Sequence, residues 1–227
     1  MDKVNLYMAS LPDRRHTLMK SIRSLIDQVG TVQIAVNYEL DPLQNNLTNH
    51  IQKIKFIQHD NSLQDGARFI NAHAKPGYCL VCDDDIVYPP DFVETMINWH
   101  TAVGGFVTVM GKVLKPRPLE SYYKGWAQNF RTFDKIDQLQ RVDIPGCCGI
   151  LWHTKEVIVN DKDMDIPNSD VCVGIAARMS DVPCHVVPHS ADWLTNLMPE
   201  LPKDTLSIFG KYRKNDKIQT DYINRWM

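Results

Sequence analysis

The stretch YCLVCDDDIVYPPDF, residues 78–92, decides how this sequence is interpreted. Its first five residues carry no charge and predict a strand that is apolar on both faces, as in the centre of a parallel sheet. Three aspartates, Asp83, Asp84 and Asp85, follow directly, and Pro90 then stands at the start of a helical pattern. Three adjacent carboxylates repel one another unless something positive lies among them. What these carboxylates hold is the main question that the sequence raises.

Strand and helix patterns alternate over the first 110 residues. The expected strands lie at 4–8, 32–38, 54–59, 78–82 and 106–110, and the expected helices lie at 18–29, at 63–74 and from Pro90 onward. Such alternation predicts an α/β fold with a mostly parallel central sheet flanked by helices.

The second half of the chain is less regular. Residues 112–142 are aromatic and basic, contain prolines and show no clean period, and long ordered excursions of this kind are usually functional. A strand at PGCCGILWHT (145–154), a helix at SDVCVGIAARMS (169–180) and a strand at CHVVPH (184–189) follow. The length of 227 residues suits one large domain.

Composition excludes several functional classes. The chain is 44% hydrophobic and 23% charged, so it can bury a core, and its net charge of −2 gives no general attraction to nucleic acid or anionic membranes. No run approaches the roughly 18–20 apolar residues of a membrane-spanning helix. Cys79 and Cys82 point to opposite faces of one strand, and Cys147 and Cys148 are adjacent, so disulfides are unfavourable. Without a secretory leader pattern at residue 1, we expect reduced cysteines and a cytoplasmic protein.

Ligands of open parallel sheets bind outside the carboxyl ends of the strands, where the aspartates stand. If the strand geometry continues, Asp83 and Asp85 point the same way and suit a hard divalent cation that also takes phosphate oxygens. Two alternatives remain. The triplet could be a solvated acidic turn that caps the next helix. It also matches the D-x-D-x-[TV] pattern of haloacid-dehalogenase-type phosphatases, with Asp83 as nucleophile, although their motif stands near the N-terminus.

Four segments, in order, resemble family-2-like glycosyltransferases of the GT-A fold. VNLYMASLPDRRHTLMKSIRSLIDQV (4–29) resembles their opening strand and helix, and LVCDDDIVYPPDFVETMI (80–97) resembles their DxD segment. DIPGCCGILWHTKEV (143–157) resembles the acceptor-side strand, and NSDVCVGIAARMSDVPCHVVPHSADWL (168–194) resembles the late helix with the catalytic carboxylate. The resemblance covers about residues 3–200 and is greatest to bacterial enzymes that build surface polysaccharides.

The resemblance implies one GT-A domain over 1–227, with a nucleotide-sugar-binding half at 1–110, an acceptor-side half at 111–200 and a C-terminal tail at 201–227. It implies a Mn²⁺- or Mg²⁺-dependent, inverting transferase with a UDP-sugar donor. The implied acceptor is a glycan or a lipid-linked saccharide, as in capsule, lipopolysaccharide or glycoprotein synthesis, and peripheral association with a membrane is compatible with this. A metal on the phosphates would neutralise the leaving diphosphate.

The expected donor contacts follow the ends of the early strands. They are Ala9, Ser10, Arg14, Asn37, Tyr38, Asp65, Arg68, Asp83 and Asp84. Small residues let the backbone approach a nucleotide closely. Structural alternatives stay open: Arg14 could be solvated, Tyr38 could be a buried edge residue, and Asp65 with Arg68 could form an ordinary i,i+3 salt bridge.

Inversion requires a carboxylate that takes the proton of the acceptor hydroxyl. Asp170 matches the position of that base in the family, although it could also be a helix N-cap. The expected metal ligands are Asp83, Asp85 and His189, although relatives carry Arg in place of this histidine. His185 shares a strand face with His189 but lies too far away to bind the same ion.

Aromatic residues of the irregular segment have two possible roles. Tyr122, Tyr123, Trp126 and Phe130 are expected either as acceptor contacts or as a small local core. If the chain lacked a catalytic base, the same features would describe a non-catalytic module that binds a sugar nucleotide or a glycan.

Overall fold

The structure is a computed structural model that describes residues 3–39, 48–202 and 207–227. The strands are β1 Val4–Ser10, β2 Thr31–Val36, β3 Ile54–Gln58, β4 Tyr78–Cys82, β5 Ile86–Val87, β6 Phe106–Thr108, β7 Gly111–Leu114, β8 Trp126–Phe130, β9 Gln140–Arg141, β10 Ile144–Pro145, β11 Gly149–His153, β12 Cys184–Val186 and β13 Thr195–Asn196. The α-helices are α1 Arg15–Leu25, α2 Phe92–Val103, α3 Ser169–Met179, α4 Ile208–Tyr212 and α5 Lys217–Trp226. Short 3₁₀ helices lie at Pro12–Arg14, Thr48–Lys53, Gln64–Phe69, Tyr122–Lys124, Asp161–Asp163 and Met198–Glu200.

The main sheet has eight strands in the order β3-β2-β1-β4-β11-β6-β12-β9. The first four are mutually parallel, and β12 is parallel to β6, whereas β11 runs antiparallel between β4 and β6. Because β11 is antiparallel, its first residue, Gly149, pairs with Cys82, the last residue of β4. The chain just before β11 is thereby brought beside the aspartate triplet.

Both faces of β4 are covered, as its sequence predicts. Leu80 and Cys82 belong to a core cluster with the apolar face of α1, whereas Cys79 and Val81 belong to a second cluster with the buried face of α3. All four side chains are fully buried. The predicted mostly parallel sheet flanked by helices is confirmed, and β4 is its centre.

The irregular segment contains a small second sheet. Strands β10, β7 and β8 pair antiparallel in that order, and a third apolar cluster lies between this sheet, α3 and α5. The C-terminal part, expected as a polar tail, forms two helices in the described residues. Ile223 of α5 is fully buried, and the Asn224 side chain accepts a hydrogen bond from the Leu119 amide at 2.7 Å. The helix α5 is therefore a packed part of the fold.

The helix expected at 63–74 is wrong. A 3₁₀ helix covers Gln64–Phe69, and turns follow it. Gln64 and Asn71 have φ of 50° and 57°, and this left-handed backbone interrupts an α-helical path.

The sequence predicts reduced cysteines and no membrane-spanning helix, and the structure bears on both predictions. All six cysteines are free and buried. In the three stretches that the structure describes, no helix is both long enough and apolar enough to pass through a bilayer.

The packing of α5 generates a stability prediction. Ile223→Ala should lower the free energy of unfolding by about 2–5 kcal/mol, because it empties a fully buried site. Ile218→Ala on the same helix is the matched control, since that side chain is 51% exposed, and it should change stability by at most about 0.5 kcal/mol. Urea denaturation of both variants measures the difference. Equal, small effects would mean that α5 is not part of the cooperative unit.

Candidate functional site

A cavity of 800 Å³ opens at the carboxyl edge of the main sheet, beyond the ends of β1, β3 and β4. Its other walls come from the 3₁₀ helix at 64–69, the β7–β8 region, the segment before β11, the start of α3, and α4. The sequence-predicted residues that line it are Ala9, Ser10, Arg14, Asp65, Arg68, Asp83, Asp84, Asp85 and Asp170. The structure thus brings most of the predicted site together in one place.

Three predicted residues lie elsewhere. Asn37 and Tyr38 are not among the cavity residues, and the Tyr38 ring packs under the Arg15 guanidinium at 4.4 Å. His189 is also outside the lining: its two ring nitrogens lie 3.1 Å from the carbonyl oxygens of Ser190 and Val109. Within the described residues, no three His, Cys, Asp or Glu side chains are grouped so that they could hold a metal. Both ring nitrogens of His189 face backbone carbonyl oxygens outside the cavity, so this residue does not belong to the candidate metal site.

The aspartate triplet is divided between two arginines. Asp84 and Asp85 both accept hydrogen bonds from Arg14, at 2.9 and 2.8 Å, whereas Asp83 accepts one from Arg68. Because β4 ends at Cys82 and the chain turns at Asp84 and Asp85, the strand alternation on which the expected shared direction of Asp83 and Asp85 is based does not extend to them. Asp84 and Asp85 are 3% and 7% exposed, which excludes a solvated acidic turn.

The two arginines do not satisfy the cluster completely. Burial, together with Asp83 and Asp84, raises the pKa of Asp85 to about 7. Burial also raises the pKa of Asp84, against the opposing effect of Arg14. Oδ2 of Asp84 and Oδ1 of Asp65 are buried and have no hydrogen-bond partner within the described part of the chain. The cavity edge therefore has unsatisfied carboxylate oxygens and too little positive charge.

The 3₁₀ helix at 64–69 links the triplet to α3. Arg68 donates to the carbonyl oxygen of Cys147 at 3.0 Å, and its Nε donates to the backbone carbonyl of Asp65. The Asp65 carboxylate accepts hydrogen bonds from Ser169 N and Oγ at 2.8 and 2.7 Å, at the first turn of α3. Asp65 and Arg68 therefore reach different partners and do not form a simple i,i+3 side-chain pair.

Asp170 is held by two groups. Its Oδ2 lies 2.8 Å from Lys112 Nζ, and its Oδ1 accepts a hydrogen bond from the Cys147 amide at 2.9 Å. Burial acts to raise the pKa of Asp170, but Lys112 and the amide outweigh burial, and the pKa is lowered. Conversely, burial acts to lower the pKa of Lys112, but Asp170 raises it above its ordinary value. Both groups therefore remain charged at neutral pH.

Sequence reasoning missed several cavity residues. Lys112 is the only charged residue between Val103 and Leu114, and a single lysine in such an apolar run is a signal that could have revealed it. His59 and Asn61 follow β3, so the strand-end argument that located the triplet applies to them too. Phe209 had no sequence signal, because it stands in a polar segment whose course depends on long-range packing.

The sequence matches no protein-family model and no curated protein. Several solved structures are similar in fold. Residues 1–349 of S. aureus TarS are 11% identical, with a TM-score of 0.50 over 83% of this chain and 58% of that one. A 4-diphosphocytidyl-2C-methyl-D-erythritol synthase is 9% identical, with a TM-score of 0.52 over 88% of this chain and 94% of that one.

The fold is that of GT-A nucleotidyl- and glycosyltransferases. A third structure, Mycobacterium tuberculosis glucosyl-3-phosphoglycerate synthase with uridine diphosphate, is 12% identical, with a TM-score of 0.48 over 82% of this chain and 69% of that one. This GT-A chain spans less than two thirds of the TarS fragment. At these identities the likeness shows the fold alone, and the GT-A fold expected from the sequence is confirmed.

The raised pKa of Asp85 generates a pH prediction. In the folded protein Asp85 binds its proton more tightly than in the unfolded chain, so its contribution to stability is lost as pH rises from about 4 through 7. In metal-free buffer, Asp85→Asn should remove this loss, and its melting temperature should fall less than that of the wild type between pH 5 and pH 8. Thermal unfolding at several pH values measures this, and parallel curves would contradict it.

The Lys112–Asp170 pair generates a second prediction. Lys112→Met leaves a buried carboxylate without its cation and should cost about 3 kcal/mol of unfolding free energy. The double variant Lys112→Met/Asp170→Asn should recover most of that loss, because no unpaired charge remains. Lys115→Met, at an exposed position just after β7, is the control and should lie within about 0.5 kcal/mol of wild type. Equal stability of the single and double variants in urea would argue against the pair.

Proposed function

We propose that this protein is a metal-dependent glycosyltransferase that moves a sugar from a nucleoside-diphosphate donor to a saccharide acceptor. One observation carries the proposal: a single cavity in a GT-A fold has the aspartate triplet in one wall and Asp170 in another. Residues 1–110 would supply the donor side, and residues 111–200 together with α4 would supply the acceptor side. The resemblance to family-2-like enzymes favours a UDP-sugar donor and a surface glycan or lipid-linked saccharide as acceptor.

The residues at the triplet fit a divalent cation. Arg68 and Arg14 occupy Oδ1 of Asp83 and Oδ2 of Asp85, which leaves the second oxygen of each carboxylate for a hard ion. The unpartnered Asp84 Oδ2 is a further sign that positive charge is missing here. We propose that Asp83 and Asp85 hold Mn²⁺ or Mg²⁺. When bound, the ion would neutralise the charge of the diphosphate leaving group.

The donor would lie along the ends of the first and third strands. Ala9 and Ser10 are small and allow a nucleotide to approach the backbone, and His59 and Asn61 face the same part of the cavity. Arg14 stands between this region and the triplet, where a guanidinium can also reach a phosphate oxygen. The diphosphate would thus point toward the acids and the sugar toward Asp170.

Asp170 would act as the general base. Its lowered pKa keeps the carboxylate ionised at neutral pH, and Lys112 and the Cys147 amide fix its orientation. The carboxylate would take the proton from the acceptor hydroxyl as that oxygen attacks C1 of the sugar and the diphosphate leaves. Direct displacement of this kind inverts the configuration at C1.

Two other reactions make different products. The phosphotransferase alternative needs Asp83 as a free nucleophile, yet Arg68 holds that carboxylate, and the fold is of another class. Nucleotidyl transfer is compatible with the GT-A fold and would release pyrophosphate, whereas glycosyl transfer releases a nucleoside diphosphate. Analysis of the released product therefore separates the candidate reactions.

The decisive experiment uses two substrate panels with Mn²⁺: nucleotide sugars, assayed for released uridine diphosphate, and nucleoside triphosphates with sugar phosphates, assayed for released pyrophosphate. Asp170→Asn should lower turnover by about 10²–10⁴-fold and leave the affinity for uridine diphosphate unchanged in calorimetry. Asp181→Asn, at the other end of α3 on an exposed residue, is the control and should keep wild-type turnover. Normal turnover in Asp170→Asn would refute its role as base. Absence of any binding of Mn²⁺ and uridine diphosphate would refute the proposed function.

A further inference from the structure

We infer that three aromatic residues of the cavity, Tyr123, Trp126 and Phe209, form the site that binds a pyranose ring of the acceptor. These residues are called the aromatic wall below. The inference rests on the proposed function and deepens it, because it identifies the acceptor as a saccharide that is recognised by the face of its ring.

The geometry of the wall is that of a binding surface. The Tyr123 ring stands edge-on to Trp126 at 5.8 Å and 74°, and edge-on to Phe209 at 5.2 Å and 82°. All three rings line the cavity, and Phe209 is 49% exposed, an unusual position for a phenylalanine. In an edge-on pair the edge of one ring meets only one face of its partner, so the opposite face is left for a ligand.

The wall is not simply the local core of its segment. Tyr122, the neighbour of Tyr123, is fully buried and belongs to the third apolar cluster, whereas Tyr123 and Trp126 only border that cluster. The indole nitrogen of Trp126 is buried, so the cavity meets the ring of this side chain and not its N–H group. A packed core and an open aromatic surface are thus formed by adjacent residues.

The wall adjoins the proposed base. Lys112 Nζ lies 2.8 Å from Asp170 Oδ2 and 5.8 Å from the centre of the Trp126 ring, so one ammonium group separates wall and base. Asn168, two residues before Asp170, donates a hydrogen bond to the Tyr123 hydroxyl at 3.3 Å. A sugar ring on the wall would therefore present its hydroxyl groups toward Asp170.

The chemistry of the wall suits a pyranose more than a nucleotide base. The axial C–H groups of a pyranose form an apolar patch that packs against the negative face of an aromatic ring. Asn129 and Arg131, at and just after the end of β8, also line the cavity and can hydrogen-bond to sugar hydroxyls. In the proposed function the donor nucleotide would lie elsewhere in the cavity, beyond β1 and β3.

The test measures saccharide binding by tryptophan fluorescence, with and without saturating uridine diphosphate and Mn²⁺. The probes are cellobiose, lactose and N,N′-diacetylchitobiose. We expect at least one disaccharide to change the emission, and we expect Trp126→Phe to abolish this change. Trp226→Phe, at a tryptophan that does not line the cavity, is the control and should keep it.

A matched pair at Phe209 tests the ring face itself. Phe209→Leu keeps apolar bulk and should weaken the apparent Kd roughly 3–10-fold, whereas Phe209→Tyr keeps the aromatic face and should bind like wild type. Because Phe209 is half exposed, neither change threatens folding. Once an acceptor is known, its KM should rise in Phe209→Leu more than the KM of the donor.

Three outcomes would overturn the inference: no response to any disaccharide, equal affinities in Phe209→Leu and Phe209→Tyr, or an emission change at Trp126 caused by uridine diphosphate alone. The last result would assign the wall to the nucleotide. Binding of uridine diphosphate by the wild type is measured separately by calorimetry. If the nucleotide binds and the saccharides do not, the acceptor inference fails while the proposed function stands; if only the saccharides bind, the reverse holds.

Discussion

Three carboxylates in sequence at the end of a buried strand must be held together against their mutual repulsion, and the architecture around β4 provides for this. Arg14 reaches Asp84 and Asp85 from the segment after β1, and Arg68 reaches Asp83 from the 3₁₀ helix at 64–69. The compensation is incomplete, since the pKa of Asp85 is still raised to about 7. A site whose own residues leave it short of positive charge is less stable than it could be, and it is correspondingly prepared for a cation.

A second constraint couples the two sides of the cavity. The Asp65 carboxylate binds the first turn of α3 at Ser169, next to Asp170, while Arg68 in the same 3₁₀ helix binds the triplet. The antiparallel course of β11 adds Cys147, whose carbonyl meets Arg68 and whose amide meets Asp170. The proposed metal ligands and the proposed base are thus positioned by shared neighbours.

The central strand and many residues of the candidate site could be predicted from the sequence. The strand β4 was evident because it is apolar on both faces, whereas Asp170 was found through the resemblance of its segment to the glycosyltransferase family. Long-range pairing was not evident: Lys112 and Asp170 are 58 residues apart, and nothing local selects that partner. The helix expected at 63–74 does not form, because residues with a left-handed backbone interrupt it. The sequence could not exclude His189 from the metal site, because its ring is held by the carbonyl oxygens of Ser190 and of the distant Val109, and only the fold brings Val109 there.

The Asp216 carboxylate, just before α5, accepts hydrogen bonds from the Ser121 hydroxyl and the Tyr123 amide. The C-terminal helices and the turn at Tyr122 are therefore fastened to each other, although about 90 residues of chain separate them. In evolution or engineering, this part of the cavity wall could not be replaced by exchanging only one of these pieces. The two would have to be inherited as a unit, while the acids at the end of β4 could stay unchanged.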